Sequence, residues 1–323
     1  MVGDATPEQL TMGSLCTGIA GLELGLHYAG LNAKPVFVSD INPGVCDWLD
    51  QAMPYTPNLG DFTQLTELPA VDVLVAGFPC QPVSSAGSRK GTEDARWLWP
   101  SIADLVRNMV PRPTLFLENV SGLLLANGGH AMATVARDLA ECGYRLEYGC
   151  MAAAAVGAAH KRNRWWGLAY VEDANSEPRH KRWLAASRRS QGNRARPDTG
   201  RRRRASAADT ESTERHATQP ASMAATVGTA TEPRERNSPL PDRFGHWAPA
   251  IDRWARVLGR TAPDPTTPNG RIAPAFVEWM MGYPQGWVTD TDLTNSQALY
   301  ALGNAVVPQA AAAAFTALAA REP

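Results

Sequence analysis

From Gly13 to about Tyr170, short apolar runs alternate with stretches whose apolar residues recur every three or four positions. That is the pattern of β-strands joined by amphipathic helices. The runs Met12–Cys16, Pro35–Ser39, Val71–Ala76, Thr114–Glu118, Tyr144–Met151 and Trp165–Tyr170 are the candidate strands. Leu22, Leu26 and Ala29 share one helical face, and Gly30 follows where a left-handed residue can close the helix. Ile102, Leu105, Val106 and Met109 mark another helix, which stops before Pro111. Strands alternating with helices predict an α/β fold, a doubly wound and mostly parallel sheet.

After Tyr170 the periodicity is lost. Residues 171 to about 270 are rich in Arg, Ser, Thr, Pro and Ala, and 205–240 reads as a low-complexity linker. Between 179 and 204, Arg179, Lys181, Arg182, Arg188, Arg189, Arg194, Arg196 and Arg201 to Arg204 are opposed only by Asp198. Such a run is either a solvated basic loop or a surface that neutralises nucleic-acid phosphates. Apolar order returns at Phe244–Leu258 and from Ile272, and the chain closes with an alanine-rich helix, Pro308–Ala320, whose proline suits the first turn. The organisation expected is one domain over 1–170, completed by 272–323, with a small second domain over 171–271.

The bulk properties narrow the class. A chain of 323 residues can build a full core, and the net charge of −1 conceals the uneven charge distribution. No run of 18 apolar residues occurs, so no transmembrane helix is expected. The N-terminal residues show neither a basic nor an apolar signal region, so no secretion signal is expected. Five scattered cysteines without a Cys-x-x-Cys pair argue against a disulfide framework and against structural zinc, and for a reducing cytoplasm.

Candidate chemistry collects where the predicted strands end. Gly77-Phe78-Pro79-Cys80-Gln81-Pro82 follows the third strand, and prolines on both sides of Cys80-Gln81 stiffen the loop, which suggests a nucleophile on a sheet edge. After the first strand, Cys16-Thr17-Gly18-Ile19-Ala20-Gly21 turns into a helix; Gly18 and Gly21 admit a ligand close to the backbone. Asp40 closes the second strand about twenty residues later, where an acid accepts ribose hydroxyls. Gly60-Asp61-Phe62 offers a carboxylate for an adenine amino group and a ring for its face, although Asp61 taken alone reads more readily as a turn former or helix cap. Together they point to an adenosine-bearing cofactor. Glu118 ends the fourth strand, where partial burial would raise its pKa and suit it to donate a proton. In an extended segment Arg162 and Arg164 point the same way, so both guanidinium groups could face one cleft.

These elements, in this order, resemble the DNA (cytosine-5)-methyltransferases. The likeness rests on Thr17-Gly18-Ile19-Ala20-Gly21, Asp40, Gly60-Asp61, Gly77 to Pro82 with Ser84 and Gly87, Glu118-Asn119-Val120 and Arg162-Asn163-Arg164. It continues through Met281-Gly282-Tyr283-Pro284-Gln285-Gly286-Trp287 and Gly303-Asn304-Ala305-Val306-Val307-Pro308. The resemblance implies S-adenosyl-L-methionine as cofactor, S-adenosyl-L-homocysteine as product, and no metal. It implies a cofactor site of Cys16, Thr17, Gly18, Ile19, Gly21, Asp40, Ile41, Asp61, Phe62, Pro79, Asn304 and Ala305, and a catalytic set of Cys80, Glu118, Arg162 and Arg164. Cys80 would add to C6 of a cytosine flipped from double-stranded DNA, and the stretch from Ser84 to about Trp99 would close over it. Residues 171–271 would be a target-recognition domain. Asn304 would brace the recognition domain or the active site, and the terminal helix would pack beside the cofactor turn. A cytoplasmic monomer acting on DNA, with a cognate restriction endonuclease as an open possibility, completes the expectation. Three positions depart from the usual pattern: Cys16 replaces an aromatic residue, Asp40 a more common Glu, and His160 a Gln. A tRNA cytosine-5 methyltransferase of the same fold and a catalytically silent DNA-binding homologue are the alternatives. A nicotinamide dehydrogenase is excluded by the absent dinucleotide glycine pattern.

Overall fold

Six strands build one sheet in the order β2-β1-β3-β4-β6-β5 in the computed structural model, which describes residues 9–78, 97–171, 183 and 242–321. The strands are β1 (Leu10–Leu15), β2 (Ala33–Phe37), β3 (Val73–Gly77), β4 (Thr114–Val120), β5 (Tyr144–Ala152) and β6 (Asn163–Val171). All six expected strands are present, with ends shifted by one or two residues. Strands β2, β1, β3 and β4 pair in parallel, whereas β6 lies antiparallel between β4 and β5. The α/β, mostly parallel expectation therefore holds, with one reversed strand.

Alternation along the strands separates two apolar layers. Val73, Val75, Phe116, Trp166 and Leu168 enter one core; Leu74, Ala76, Leu115, Leu117, Trp165 and Ala169 enter the other. The first layer is covered by α1 (Gly21–Tyr28), α2 (Pro43–Ala52) and the carboxyl-terminal helices; the second by α3 (Trp99–Asn108) and α4 (His130–Glu141). Further on come α5 (Ala248–Leu258), α6 (Pro274–Met280), α7 (Asn295–Asn304) and α8 (Pro308–Ala319). Ile251 and Trp254 of α5 belong to the same core layer as α1, and the Trp254 indole donates to the Trp279 carbonyl at 3.0 Å.

Local chemistry sets the helix ends. Asn42 accepts the Val45 N–H at 3.2 Å and Pro43 follows it, so α2 starts there. Thr294 and Gln297 form a reciprocal capping box on α7. Pro308 opens α8 as its type predicts. Residues 295–319 match a membrane span in length and apolarity, but they form two helices broken at 305–307 and largely buried in the core.

Helix α8 packs beside α1, close enough that a methyl group on Gly25 would collide with Ala311 Cβ and stand 3.0 Å from the Pro308 carbonyl. Two small residues thus let the terminal helix back the turn that leads from β1 into α1. The chain leaves β1 toward β2 on one side and returns as β3 on the other. The crevice at the carboxyl ends of β1 and β3 is therefore the topological switch point, where open α/β sheets bind ligands.

Candidate active site

The turn after β1 is bent by left-handed residues: Cys16 (φ 53°), Gly18 (φ 57°) and Ala20 (φ 57°). Only glycine adopts this conformation without strain, so Cys16 and Ala20 are held there by their surroundings. Thr17 supplies part of that hold. Its N–H donates to the Ser39 carbonyl at 3.1 Å, and its hydroxyl accepts the Ser39 N–H at 3.1 Å. Asp40 completes the link, since one carboxylate oxygen accepts the Gly18 N–H at 2.9 Å and the other the Asn42 N–H at 2.9 Å. Asn58 in turn accepts from the Asp40 N–H and donates to its carbonyl, both at 3.1 Å. Asp40 thus clamps the first turn to the end of β2 while keeping acceptor capacity for a ligand hydroxyl.

The crevice is open where a ligand would enter. A Cβ on Gly18 or on Gly60 would meet nothing within 4 Å, and Ile41 beside Asp40 leaves 68% of its surface exposed. Asp61 caps its own turn, accepting from the Thr63 N–H at 3.0 Å and the Thr63 hydroxyl at 2.7 Å, and these bonds hold its carboxyl below the ordinary range. Its second oxygen takes neither of the Thr63 bonds. Phe62 is buried in the core with Leu15 and Phe37, and Cys16 packs against the same cluster. Burial, then the carboxylates of Asp40 and Asp61, push the Cys16 thiol far above its ordinary pKa, so it is a neutral, apolar wall of the crevice.

On the other side of the crevice, Glu118 pairs with Gly77 in the β3–β4 register. The missing side chain of Gly77 leaves Glu118 Oε2 3.5 Å from where a Cβ would stand. Arg164, on the neighbouring β6, places its Nε 2.8 Å from Glu118 Oε1. Burial raises the Glu118 pKa, and Arg164 and then Arg162 lower it without cancelling the rise. The carboxyl therefore holds its proton more readily than an ordinary glutamate, the direction that suits a proton donor.

Arg162 reaches this region by a different route from the one its spacing suggests. It precedes β6 with φ 29°, so strand alternation does not orient it. Its Nη2 donates to the Gly303 carbonyl at 3.1 Å and to the Ala305 carbonyl, at the carboxyl end of α7. Its Nε lies buried without a partner, and burial, then Arg164, push its pKa down to about 10. Arg162 is thus a strut between α7 and the Glu118 site, with one donor unspent. Asn304 is exposed and donates to the Tyr300 carbonyl at 3.0 Å; Ala305 is buried. His160 bonds the Met280 carbonyl at 3.0 Å, and burial lowers its pKa.

Pro79 and Cys80 lie outside the described residues, as do 81–96, the basic run 179–204 (Trp183 apart) and the stretch 205–240. The two ends of the 79–96 segment are described. Phe78 packs edge-on against Trp97 with ring centroids 6.0 Å apart, and against Trp99 at 5.7 Å. Trp97 and Trp99, included in the expected lid, are instead buried at its base. Asn119 donates to the Phe78 carbonyl at 3.2 Å and accepts the Val120 N–H at 2.8 Å, so β4 holds the residue two before Cys80.

Other supports went unread in the sequence. Glu278 is buried on α6 and accepts the N–H groups of Gly286 (2.9 Å), Val288 (2.7 Å) and Thr289 (3.0 Å), which folds the 282–289 segment around a carboxylate. From that segment the Trp287 indole donates to the Ile19 carbonyl in the turn after β1 at 2.9 Å, and the Trp48 indole donates to the Trp287 carbonyl at 2.7 Å. Tyr283 donates to the Val306 carbonyl at 2.9 Å. An acid inside the apolar helix Pro274–Met280 was the available signal for Glu278.

Across residues 10–320 the chain matches the family model of the C-5 cytosine-specific DNA methylases, and it belongs to that family. The Type II methyltransferase M2.BsuMI of Bacillus subtilis is 33% identical over 155 residues, 47% of this chain and 39% of that protein. M.MspI of Moraxella sp is 31% identical over 172 residues, 52% of this chain and 40% of its own length. The chain thus spans about two-fifths of the length of these curated relatives. The fold is shared with S. pombe Dnmt2 methyltransferase (TM-score 0.56, 16% identity, 95% of this chain and 97% of that one). It is shared also with the Entamoeba histolytica methyltransferase EhMeth (TM-score 0.57, 13% identity, 94% and 96%).

Proposed function

We propose that this chain methylates C5 of cytosine in a specific double-stranded DNA sequence, through a transient bond between Cys80 and C6. The observation that carries the reading is the convergence of Glu118 and Arg164 beside Gly77, at the carboxyl end of the strand that runs into Phe78-Pro79-Cys80. Membership of the family supports it.

The residues of the crevice fit S-adenosyl-L-methionine. Gly18 and Gly60 leave open space beside the backbone, Asp40 and Asp61 keep acceptor capacity for ribose and adenine, and exposed Ile41 offers an apolar rim. Thr17, Ile19, Gly21 and Phe62 would shape the turn and floor, with Asn304 and Ala305 on the reaction side and Cys16 in the place of a stacking ring; Pro79, carried over from the resemblance, lies outside the described residues. When bound, the cofactor supplies an electrophilic methyl group and departs as S-adenosyl-L-homocysteine.

The chain's own groups make C5 able to accept that methyl group. The Cys80 thiolate adds to C6, and the C5–C6 electron pair shifts into the ring, where a neutral Glu118 delivers a proton to N3. Arg164 holds Glu118 in place, and as the proton leaves, its cation stabilises the carboxylate that forms. Arg162 positions the strand end through α7, and its buried Nε–H is free to donate to the base. After C5 is methylated its proton is lost to solvent, the C6–S bond breaks to restore the thiolate, and N3 returns its proton to Glu118. A stacked base cannot reach these groups, so the cytosine must be flipped out, at about a few kcal/mol. The basic run within 171–271 would neutralise phosphates and read base edges there. A cytoplasmic setting and a companion endonuclease belong to this reading.

Bisulfite sequencing of plasmid DNA from cells expressing the chain tests the activity and reveals the target sequence. Methylation at a defined cytosine, abolished by Cys80→Ala, is the expected result; methylation that survives this substitution overturns the covalent mechanism. A 5-fluorocytosine duplex of the same sequence should form a stable protein–DNA adduct in the presence of S-adenosyl-L-methionine.

A further inference from the structure

Glu23 lies in the first turn of α1, two residues beyond Gly21, and is 3% exposed. Both of its carboxyl oxygens and the neighbouring Ser14 hydroxyl on β1 are buried without a well-formed hydrogen bond, although that hydroxyl and the backbone of Leu22 and Glu23 stand near enough to ease a charge on the carboxyl. Buried polar atoms are nearly always paired, so three unpaired atoms at one place call for a reason. Neither group is used by the mechanism above.

The surroundings supply one. Tyr283 is fully buried and feels the charge of Glu23, then of Arg162, Tyr28 and Glu118. Its hydroxyl is so close to the cofactor turn that a methyl group on Gly21 would collide with it. The same hydroxyl holds the Val306 carbonyl at 2.9 Å, in the link between α7 and α8 whose preceding carbonyls, Gly303 and Ala305, hold Arg162. The Arg260 guanidinium binds the Tyr283 carbonyl from outside. Among the described residues no cation acts on Glu23 itself; the groups that do are the Ser14 hydroxyl and its own helix backbone, with the Tyr283 ring coupled to it.

We propose that Glu23 is a positioning residue that makes cofactor binding depend on protonation. As a neutral acid it leaves the Tyr283 hydroxyl on Val306. As a carboxylate it draws that hydroxyl toward itself, which loosens both the Gly21 turn and the anchor of Arg162. Burial raises the Glu23 pKa to about 7, where both forms are populated near neutrality. The inference rests on the cofactor assignment made above and adds a control to the same site.

The test is calorimetric binding of S-adenosyl-L-homocysteine between pH 6 and 8.5, with wild type, Glu23→Gln and Tyr283→Phe, alongside thermal unfolding of the ligand-free proteins. Wild-type affinity should fall as pH rises through about 7, by about tenfold if binding raises the Glu23 pKa by one unit. Both variants should lack that dependence. A wild-type affinity that ignores pH, or a slope shared by wild type and Glu23→Gln, overturns the proposal. Should Glu23→Gln fail to fold, proton uptake on wild-type binding, read in two buffers of different ionisation enthalpy, decides: uptake near pH 7 that Tyr283→Phe removes is expected, and its absence overturns the idea. If the ligand binds at no pH, the cofactor assignment itself fails. The unfolding profiles then judge the inference alone: wild type should weaken relative to Glu23→Gln as pH rises toward 7, and parallel profiles refute it.

Discussion

Glu278→Ala should cost more stability than any single catalytic substitution. Its carboxylate receives three backbone N–H groups within a buried space, Gly286 on one oxygen, Val288 and Thr289 on the other, with the Thr289 hydroxyl 3.3 Å from both. Each buried donor left without a partner costs about 1–3 kcal/mol. Water entering the vacated space recovers part, so a net loss of about 3–4 kcal/mol is expected. Glu278→Gln keeps the shape and one acceptor oxygen, but turns an amide NH2 against an N–H donor, and should cost about 1–2 kcal/mol. Urea unfolding followed by circular dichroism measures both. Because Trp287 lies in the segment folded around this carboxylate and holds the Ile19 carbonyl, Glu278→Ala should also weaken S-adenosyl-L-homocysteine binding. An alanine variant within about 1 kcal/mol of wild type, or no less stable than the glutamine variant, would refute the view that the carboxylate organises this segment.

Gly25→Val should destabilise by about 1–3 kcal/mol, because Ala311 and the Pro308 carbonyl occupy the space; an unchanged urea midpoint would show that α1 and α8 are not in close contact. Arg164→Ala leaves Glu118 buried without its cation, so methyl transfer should fall by about 10²-fold or more while Arg164→Lys retains part of it; a change in DNA affinity with turnover untouched would remove Arg164 from the chemistry. The same variant should raise the Glu118 pKa further, since Arg164 is the larger of the two lowering influences, and shift the pH–rate profile upward. Glu23 governs a stability trend. Its folded pKa, about 7, lies above the ordinary 4.5, so the folded state holds the proton more tightly. Wild type should therefore be favoured at low pH and lose up to about 3 kcal/mol relative to Glu23→Gln as pH rises from about 4.5 to about 7. Stability that instead rises over that window would contradict the burial of a neutral acid.

All six strands and two of the helices between them, α1 and α3, were legible in the residues, because alternation and the 3.6-residue period act over a few neighbours; α2 and α4 were not read. So were the turn after β1, Asp40, and Glu118 at a strand end: each follows from where an apolar run stops. Strand ends were not legible where a side chain intervenes. Asp72 leaves β3 because its carboxylate takes the Thr11 N–H and hydroxyl, both at 2.9 Å. The reversal of β6 was hidden because an apolar run carries no direction, although the short 153–162 connection was a clue that two strands form a hairpin.

Pairing of distant groups belonged to the tertiary structure alone. Strand alternation misdirected Arg162, since its left-handed backbone and the α7 carbonyls, more than 140 positions away, decide where it goes. Trp287 meets Ile19 across 268 positions, and Asn119 meets Phe78 across 41. Periodicity and turn chemistry are properties of neighbouring residues, so a linear reading could name the elements and the residues at their edges. Which carboxyl finds a cation, which finds three N–H groups and which is left buried without either depends on how the helices close over the sheet, and that packing exists only in the folded chain.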